Sequence, residues 1–156
     1  MPGTKACDNL RQEVLPEMAS ARIFIVEDNA SDVFILRRAL QDCGEECELQ
    51  VVHDGEQALE LVRAERENWR TASPCVMLLD LNLPRYTGVE ILQAIQSAPA
   101  LHHVHVIMTS NGVSPEQLLE LRRMRAEYRE KPRTLAAYDE LARYLNTTCK
   151  SLRAHA

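Results

Sequence analysis

Apolar runs and helix-period patterns alternate five times along the chain. The first run, RIFIV at Arg22 to Val26, is followed by Ser31 to Asp42, where Val33, Leu36 and Leu40 recur on one helical face. A shorter run at Leu49 to Val52 precedes a helical pattern from Glu56 to Arg66 that buries Leu59 and Val62. A third run, Cys75 to Leu79, leads to a short helix from Val89 to Gln96 that stops before Pro99. Val104 to Met108 predicts a fourth strand, and Ser114-Pro115 is the start signal of a helix reaching Arg125. Glu127 to Glu130 reads as a weak fifth strand. The last helix runs from Leu135 to about Cys149, with Leu135, Tyr138, Leu141, Ala142 and Leu145 on its apolar stripe.

Strands alternating with helices imply right-handed crossovers, hence a parallel sheet covered on both faces. Five such units suit an α/β doubly wound, flavodoxin-like (βα)5 arrangement with strand order 2-1-3-4-5. On this pattern residues 1–20 form an N-terminal arm, 21–150 the domain, and 151–156 a short tail.

One run carries a charge where packing has no use for it. The segment VMLLDLNLP, Val76 to Pro84, passes from four apolar residues directly into Asp80. A strand covered on both faces excludes a carboxylate from its middle, but its carboxyl end faces the crevice where open α/β sheets place their ligands. The other strands end in the same way: Glu27-Asp28 after the first, Thr109-Ser110 after the fourth, Lys131 after the fifth. Three carboxylates in one crevice repel one another unless something positive compensates them. A lysine and a divalent cation do this, and Mg2+ fits best, because it takes hard oxygen ligands and keeps waters that a phosphate can replace.

Composition narrows the function classes. With 156 residues, 46% of them hydrophobic and 26% charged, the chain fits one soluble domain. A net charge of −5 gives no reason to expect nucleic acid or an anionic membrane. The first 21 residues contain no apolar signal core and no run elsewhere is long enough to cross a bilayer, so a cytoplasmic protein is expected. Five cysteines with no CxxC pair read as reduced thiols, and the spacing of Cys43 and Cys47 lacks the second pair a zinc site needs. His102, His103 and His105 read as a polar loop entering a strand.

The combination VEDN at the first strand, LLDLNLPRYTG at the third, MTS at the fourth and Tyr128-x-x-Lys131-Pro132 resembles the receiver domain of two-component response regulators. The likeness covers roughly residues 20 to 150. In detail, EDNASDVFILRRAL, the long insertion before the third strand, and LDLNLP resemble the small stand-alone regulators paired with bacterial phytochromes. The resemblance implies that Asp80 accepts a phosphoryl group from a sensor histidine kinase, as a terminal regulator or as one station of a phosphorelay. It implies that Glu27 and Asp28 hold the metal with Asp80 and the backbone carbonyl of Asn82. It implies that Lys131 neutralises a phosphoryl oxygen and that Tyr128 is an aromatic switch. Counting forward from Asp80 places the partner hydroxyl of that switch at Ser110, whereas counting back from Lys131 places it at Thr109. We take Thr109, with Ser110 as the second choice.

Some positions depart from the family pattern. Arg129 and Glu130 occupy a strand that is usually apolar, Arg125 stands where glycine is common, and Tyr86 replaces a frequent methionine. Among rival classes, a haloacid-dehalogenase-type phosphatase needs a second Asp where this chain has Asn82, and its acidic pair follows its nucleophile instead of preceding it. Flavin binding lacks a phosphate loop after the first strand, and no fused DNA-binding output domain is expected. Between residues 122 and 133, six cations face only Glu127 and Glu130, an excess of four positive charges against −9 on the rest of the chain. With the family's usage, this predicts a homodimer or an acidic partner on the surface of the fourth helix, fifth strand and fifth helix.

Overall fold

The structure, a computed structural model, describes residues 20–44, 47–70 and 73–155. The expected N-terminal arm therefore lies outside the described residues, apart from Ser20. The elements in chain order are β1 (Arg22–Val26), α1 (Ala30–Asp42), β2 (Glu48–Val52), α2 (Gly55–Glu67), β3 (Cys75–Asp80), α3 (Gly88–Gln96), a 3-10 turn (Pro99–Leu101), β4 (Val104–Ser110), α4 (Pro115–Arg123), β5 (Glu127–Glu130) and α5 (Leu135–Ala154). The five strands are parallel, in the order β2-β1-β3-β4-β5, so the flavodoxin-like expectation holds.

Side-chain alternation along the central strands builds two cores. Ile23, Ile25, Val76, Leu78 and Ile107 face α1 and α5, where they meet Val33, Leu36, Leu141 and Leu145. Phe24, Val26, Met77, Leu79 and Met108 face the other way, against Ala58 and Val62 of α2, Ile91 and Leu92 of α3, and Leu121 of α4. Burial on both faces is why these strands read as continuous apolar runs.

Helix starts follow local chemistry. Asn29 caps α1 by accepting from the backbone N–H groups of Ser31 and Asp32. Thr87 with Glu90 and Ser114 with Gln117 close reciprocal capping boxes on α3 and α4, the second with Pro115 in its first turn.

Three expectations need correction. The helix expected to reach Arg125 ends at Arg123. Arg125 takes a left-handed φ of 54° while Ala126 N–H bonds to Leu121 O and Arg125 N–H to Arg122 O, a Schellman stop that glycine adopts without strain. The final helix continues past Cys149 to Ala154, so most of the expected tail is helical. The cysteines are not all free: Cys47, at the entry to β2, pairs with Cys149 on α5 as a disulfide across 102 positions, while Cys43 and Cys75 are free and Cys7 lies outside the described residues. Linear spacing carries no sign of this pairing. The packing of α5 over β1 creates it, and the Cys149 Sγ also lies 3.7 Å from the Arg22 carbonyl.

The charged fifth strand pairs regularly with β4, from Ile107↔Glu127 to Ser110↔Glu130. Its polar side chains satisfy one another. Glu127 accepts from His105, Arg129 and the Tyr144 hydroxyl, Arg129 lies over the Tyr144 ring at 3.5 Å, and Glu130 pairs with Arg133. Charges on an edge strand also blunt it against pairing with another chain. At the amino end of the sheet, Arg22 clamps both oxygens of Glu65, at 2.5 and 2.8 Å, and also donates to Ser73. Among the described residues no helix is long and apolar enough to cross a membrane.

Candidate functional site

The carboxyl ends of β1, β3 and β4 and the segment after β5 meet at one crevice. Asp80 ends β3 directly beside Thr109 of β4, and Leu81 N–H continues the ladder to Thr109 O at 2.9 Å. Beyond it the chain must turn sharply. Gly88 makes this possible, because its N–H bonds to Leu81 O and a Cβ there would lie 2.3 Å from the Asp80 carbonyl. Lys131 is held in line by its own N–H, which bonds to Ser110 O at 2.8 Å.

Charge organises the crevice. Lys131 Nζ lies 2.6 Å from Glu27, 2.8 Å from Asp80 Oδ2 and 3.8 Å from Asp32. The other Asp80 oxygen accepts from Asn82 N–H at 2.9 Å, and Glu27 accepts from Asn29 N–H at 3.0 Å. Asp80 and Glu27 are buried, at 2% and 6% exposure, whereas Asp28 is open to solvent. Burial pushes the Glu27 carboxyl up to about 7 against the opposing pull of Lys131 and Asn29, and nearby Asp80 adds to the rise. Burial alone would lower the Lys131 ammonium, but its bonds to Asp80 and Glu27 outweigh that and hold it above the ordinary lysine range.

Carboxylate oxygens of Glu27, Asp28 and Asp80 lie within 4.8 Å of one another. All are hard oxygen donors, one of them open to water, which suits a small divalent cation that keeps part of its hydration. A second cluster, Glu65, Cys75 and His103, has comparable spacing at the amino end of the sheet. It does not suit a metal: the Arg22 guanidinium occupies both Glu65 oxygens, and burial pushes the Cys75 thiol up to about 12. His103 and His105 instead find Glu65 and Glu127, carboxylates remote in sequence.

The two hydroxyls of β4 part company. Thr109 is buried and lines a small cavity with Glu27, Asp32, Lys131 and Tyr138. Ser110 Oγ lies 3.1 Å from the Tyr128 hydroxyl and also bonds to Gly112. Thr109, paired in register with Asp80, is thus the hydroxyl on the face of that carboxylate, and Ser110 is the one that contacts Tyr128. Two residues of this neighbourhood were not read from the sequence. Asp32 was passed over, and Tyr138 was assigned to an apolar stripe, although its hydroxyl donates to Asp32 at 2.8 Å. Its phenol is pushed up to about 12, first by burial and then by that bond. A tyrosine on an apolar stripe needs a partner for its hydroxyl, and that was the available signal.

The family model for the response regulator receiver domain matches residues 23–133. The chain belongs to that family. Among relatives of this receiver, the response regulator Rcp1 of Synechocystis is 28% identical over 97 residues, which are 62% of this chain and 66% of Rcp1. The chain thus spans just under two thirds of that protein. The crystal structure of the phosphorylated cyanobacterial phytochrome response regulator RcpA superposes with a TM-score of 0.73 at 29% identity, covering 85% of this receiver and 96% of RcpA. The Mn2+-bound form of Rcp1 gives a TM-score of 0.68 at 26% identity, covering 81% and 92%. Membership of this family sets aside the haloacid-dehalogenase alternative.

Proposed function

We propose that this receiver accepts a phosphoryl group on Asp80 from a sensor histidine kinase, of the phytochrome type that the name of RcpA indicates for its own system. The observation that carries the reading is the Lys131 ammonium seated between Asp80 and Glu27, which leaves a buried carboxylate at a strand end compensated and pre-aimed. Glu27, Asp28, Asp80 and the carbonyl of Asn82 would hold Mg2+, which when bound neutralises charge on phosphoryl oxygens. The Asp80 carboxylate attacks phosphorus in line, and one of its oxygens bonds to phosphorus as the bond to the histidine nitrogen breaks. Catalysis is mainly positioning and charge compensation, so Lys131 holds a phosphoryl oxygen while Asn82 N–H orients the carboxylate. Water later cleaves the acyl phosphate and returns the carboxylate.

Signalling follows from the added charge. A phosphoryl oxygen draws a β4 hydroxyl inward and biases the loop and Tyr128 between two arrangements. Thr109, paired in register with Asp80 and lining the lysine cavity, supports the reading of Thr109 as the hydroxyl that moves, while Ser110 on the opposite face holds Tyr128 in its resting arrangement. Output then passes to a homodimer or an acidic partner on α4, β5 and α5.

The phosphotransfer test compares wild type with Asp80→Asn during incubation with acetyl phosphate or a phosphorylated kinase, with and without Mg2+. Labelling is expected only for wild type and only with the cation. Undiminished labelling of Asp80→Asn overturns the assignment.

A further inference from the structure

Lys131 has a third carboxylate neighbour that the phosphotransfer chemistry above does not use. Asp32 sits in the first turn of α1, its backbone N–H held by the Asn29 cap at 3.2 Å. One side-chain oxygen lies 3.8 Å from Lys131 Nζ, and the other accepts from the Tyr138 hydroxyl at 2.8 Å. Tyr138 stands in the first turn of α5, buried to 8% exposure, 106 positions further along the chain. The two residues and Lys131 share the small cavity that Glu27 and Thr109 also line.

The three carboxylates around the ammonium have different duties. Asp80 becomes the acyl phosphate, and Glu27 belongs to the cation-binding group. Asp32 has neither task, so it is the one neighbour that keeps its charge available to Lys131 throughout. A solvent-facing aspartate would ordinarily sample several rotamers. Here Tyr138 fixes it by the oxygen opposite the one that faces the ammonium, which sets the reach of Asp32 toward Lys131.

We propose that Asp32 and Tyr138 are a positioning pair for Lys131, holding the ammonium beside α1 as the phosphoryl group arrives and linking its position to the first turn of α5. The inference rests on the phosphotransfer reading of Asp80. Neither residue touches phosphorus, and both act through Lys131.

The test uses the full chain, whose lysines are Lys5, Lys131 and Lys150, labelled with 15N at the side-chain nitrogen. In metal-free protein the Lys131 ammonium resonance is assigned by its loss in Lys131→Ala. Tyr138→Phe, which removes one oxygen, and Asp32→Asn are each expected to shift that resonance, and the double variant to add nothing. With acetyl phosphate and Mg2+, initial phosphorylation is expected to slow roughly 3- to 10-fold in each single variant and in the double alike. On a Lys131→Ala background, Tyr138→Phe should change the residual rate less than about 2-fold, because the pair then has nothing to position. An equal effect with and without Lys131 overturns the proposal and leaves only a packing role. Wild type that takes no label overturns the phosphotransfer reading and with it the role given to the pair. Labelled wild type with an unmoved ammonium signal in Tyr138→Phe overturns the pair alone.

Discussion

Thr109 and Ser110 are adjacent on one strand, so their side chains leave the sheet on opposite faces. Thr109 goes to the lysine cavity and Ser110 to Tyr128, and only the second contact joins a hydroxyl to an aromatic side chain on β5. Thr109 shares the face of Asp80, its partner in register, so Thr109→Ala is expected to abolish the shift of the Tyr128 ring signals when a beryllofluoride phosphoryl mimic is added, and Ser110→Ala to preserve it. Ring signals that respond in the first variant and not in the second move the switch to Ser110. Sequence counting could not separate the two, because one residue of slack between β3 and β5 moves the answer by one position and hence to the other face. Asp80, Glu27 and Asp28 were legible because a charge at the end of an apolar strand conflicts with packing, and Lys131 through the resemblance carried by Tyr128-x-x-Lys131-Pro132. Asp32 and Tyr138 were not, because a polar residue in a helix's first turn and a tyrosine on an apolar stripe break no local rule.

At the scale of elements, α4 ends on a residue whose backbone geometry suits glycine. Left-handed backbone costs a non-glycine residue roughly 1 kcal/mol, partly offset by the greater freedom glycine has when unfolded. Arg125→Gly is expected to leave stability unchanged or raise it by up to about 1 kcal/mol, measured by urea unfolding, and a clear loss would mean that the Arg125 side chain supports the fold. The Arg22–Glu65 clamp between β1 and α2 behaves differently. Burial would raise the Glu65 carboxyl, but Arg22 and then His103 outweigh it, so the folded protein holds Glu65 below the usual carboxylate range. The stability this adds is present above the unfolded value, near 4.3, and is lost as pH falls through the lower folded value. Glu65→Gln should cost about 3 kcal/mol at pH 7, since it leaves Arg22 half-buried without its counter-charge. That difference should shrink below about pH 4, and a difference constant from pH 7 to pH 3 would show that charge is not its source. The helix and strand pattern was readable here and the clamp was not, because its members lie 43 positions apart.

For the whole molecule, the basic excess between residues 122 and 133 is smaller in effect than its count. Arg129 is drawn to Glu127 and Tyr144, and Arg133 to Glu130, which leaves Arg122, Arg123 and Arg125 as the exposed basic face at the end of α4. Sedimentation of wild type and Arg122→Glu/Arg123→Glu, with and without the phosphoryl mimic, at low and high salt, tests docking there. Association that the mimic strengthens and salt weakens is expected, because exposed pairs are screened within about 8 Å at physiological ionic strength. A monomer in every condition removes the homodimer, and unaltered binding of an acidic partner by the double variant removes that surface. An ammonium already bridging Glu27 and Asp80 makes the resting site an ion exchanger with its own resident cation. On the proposed metal site, an incoming divalent ion is expected to compete with that tethered charge for the Glu27 and Asp80 carboxylates, so its affinity would be a difference between two attractions, held down while the site rests. A phosphoryl group that gives Lys131 new oxygens to hold is expected to relieve the competition, so that cation and phosphoryl group would strengthen each other's binding.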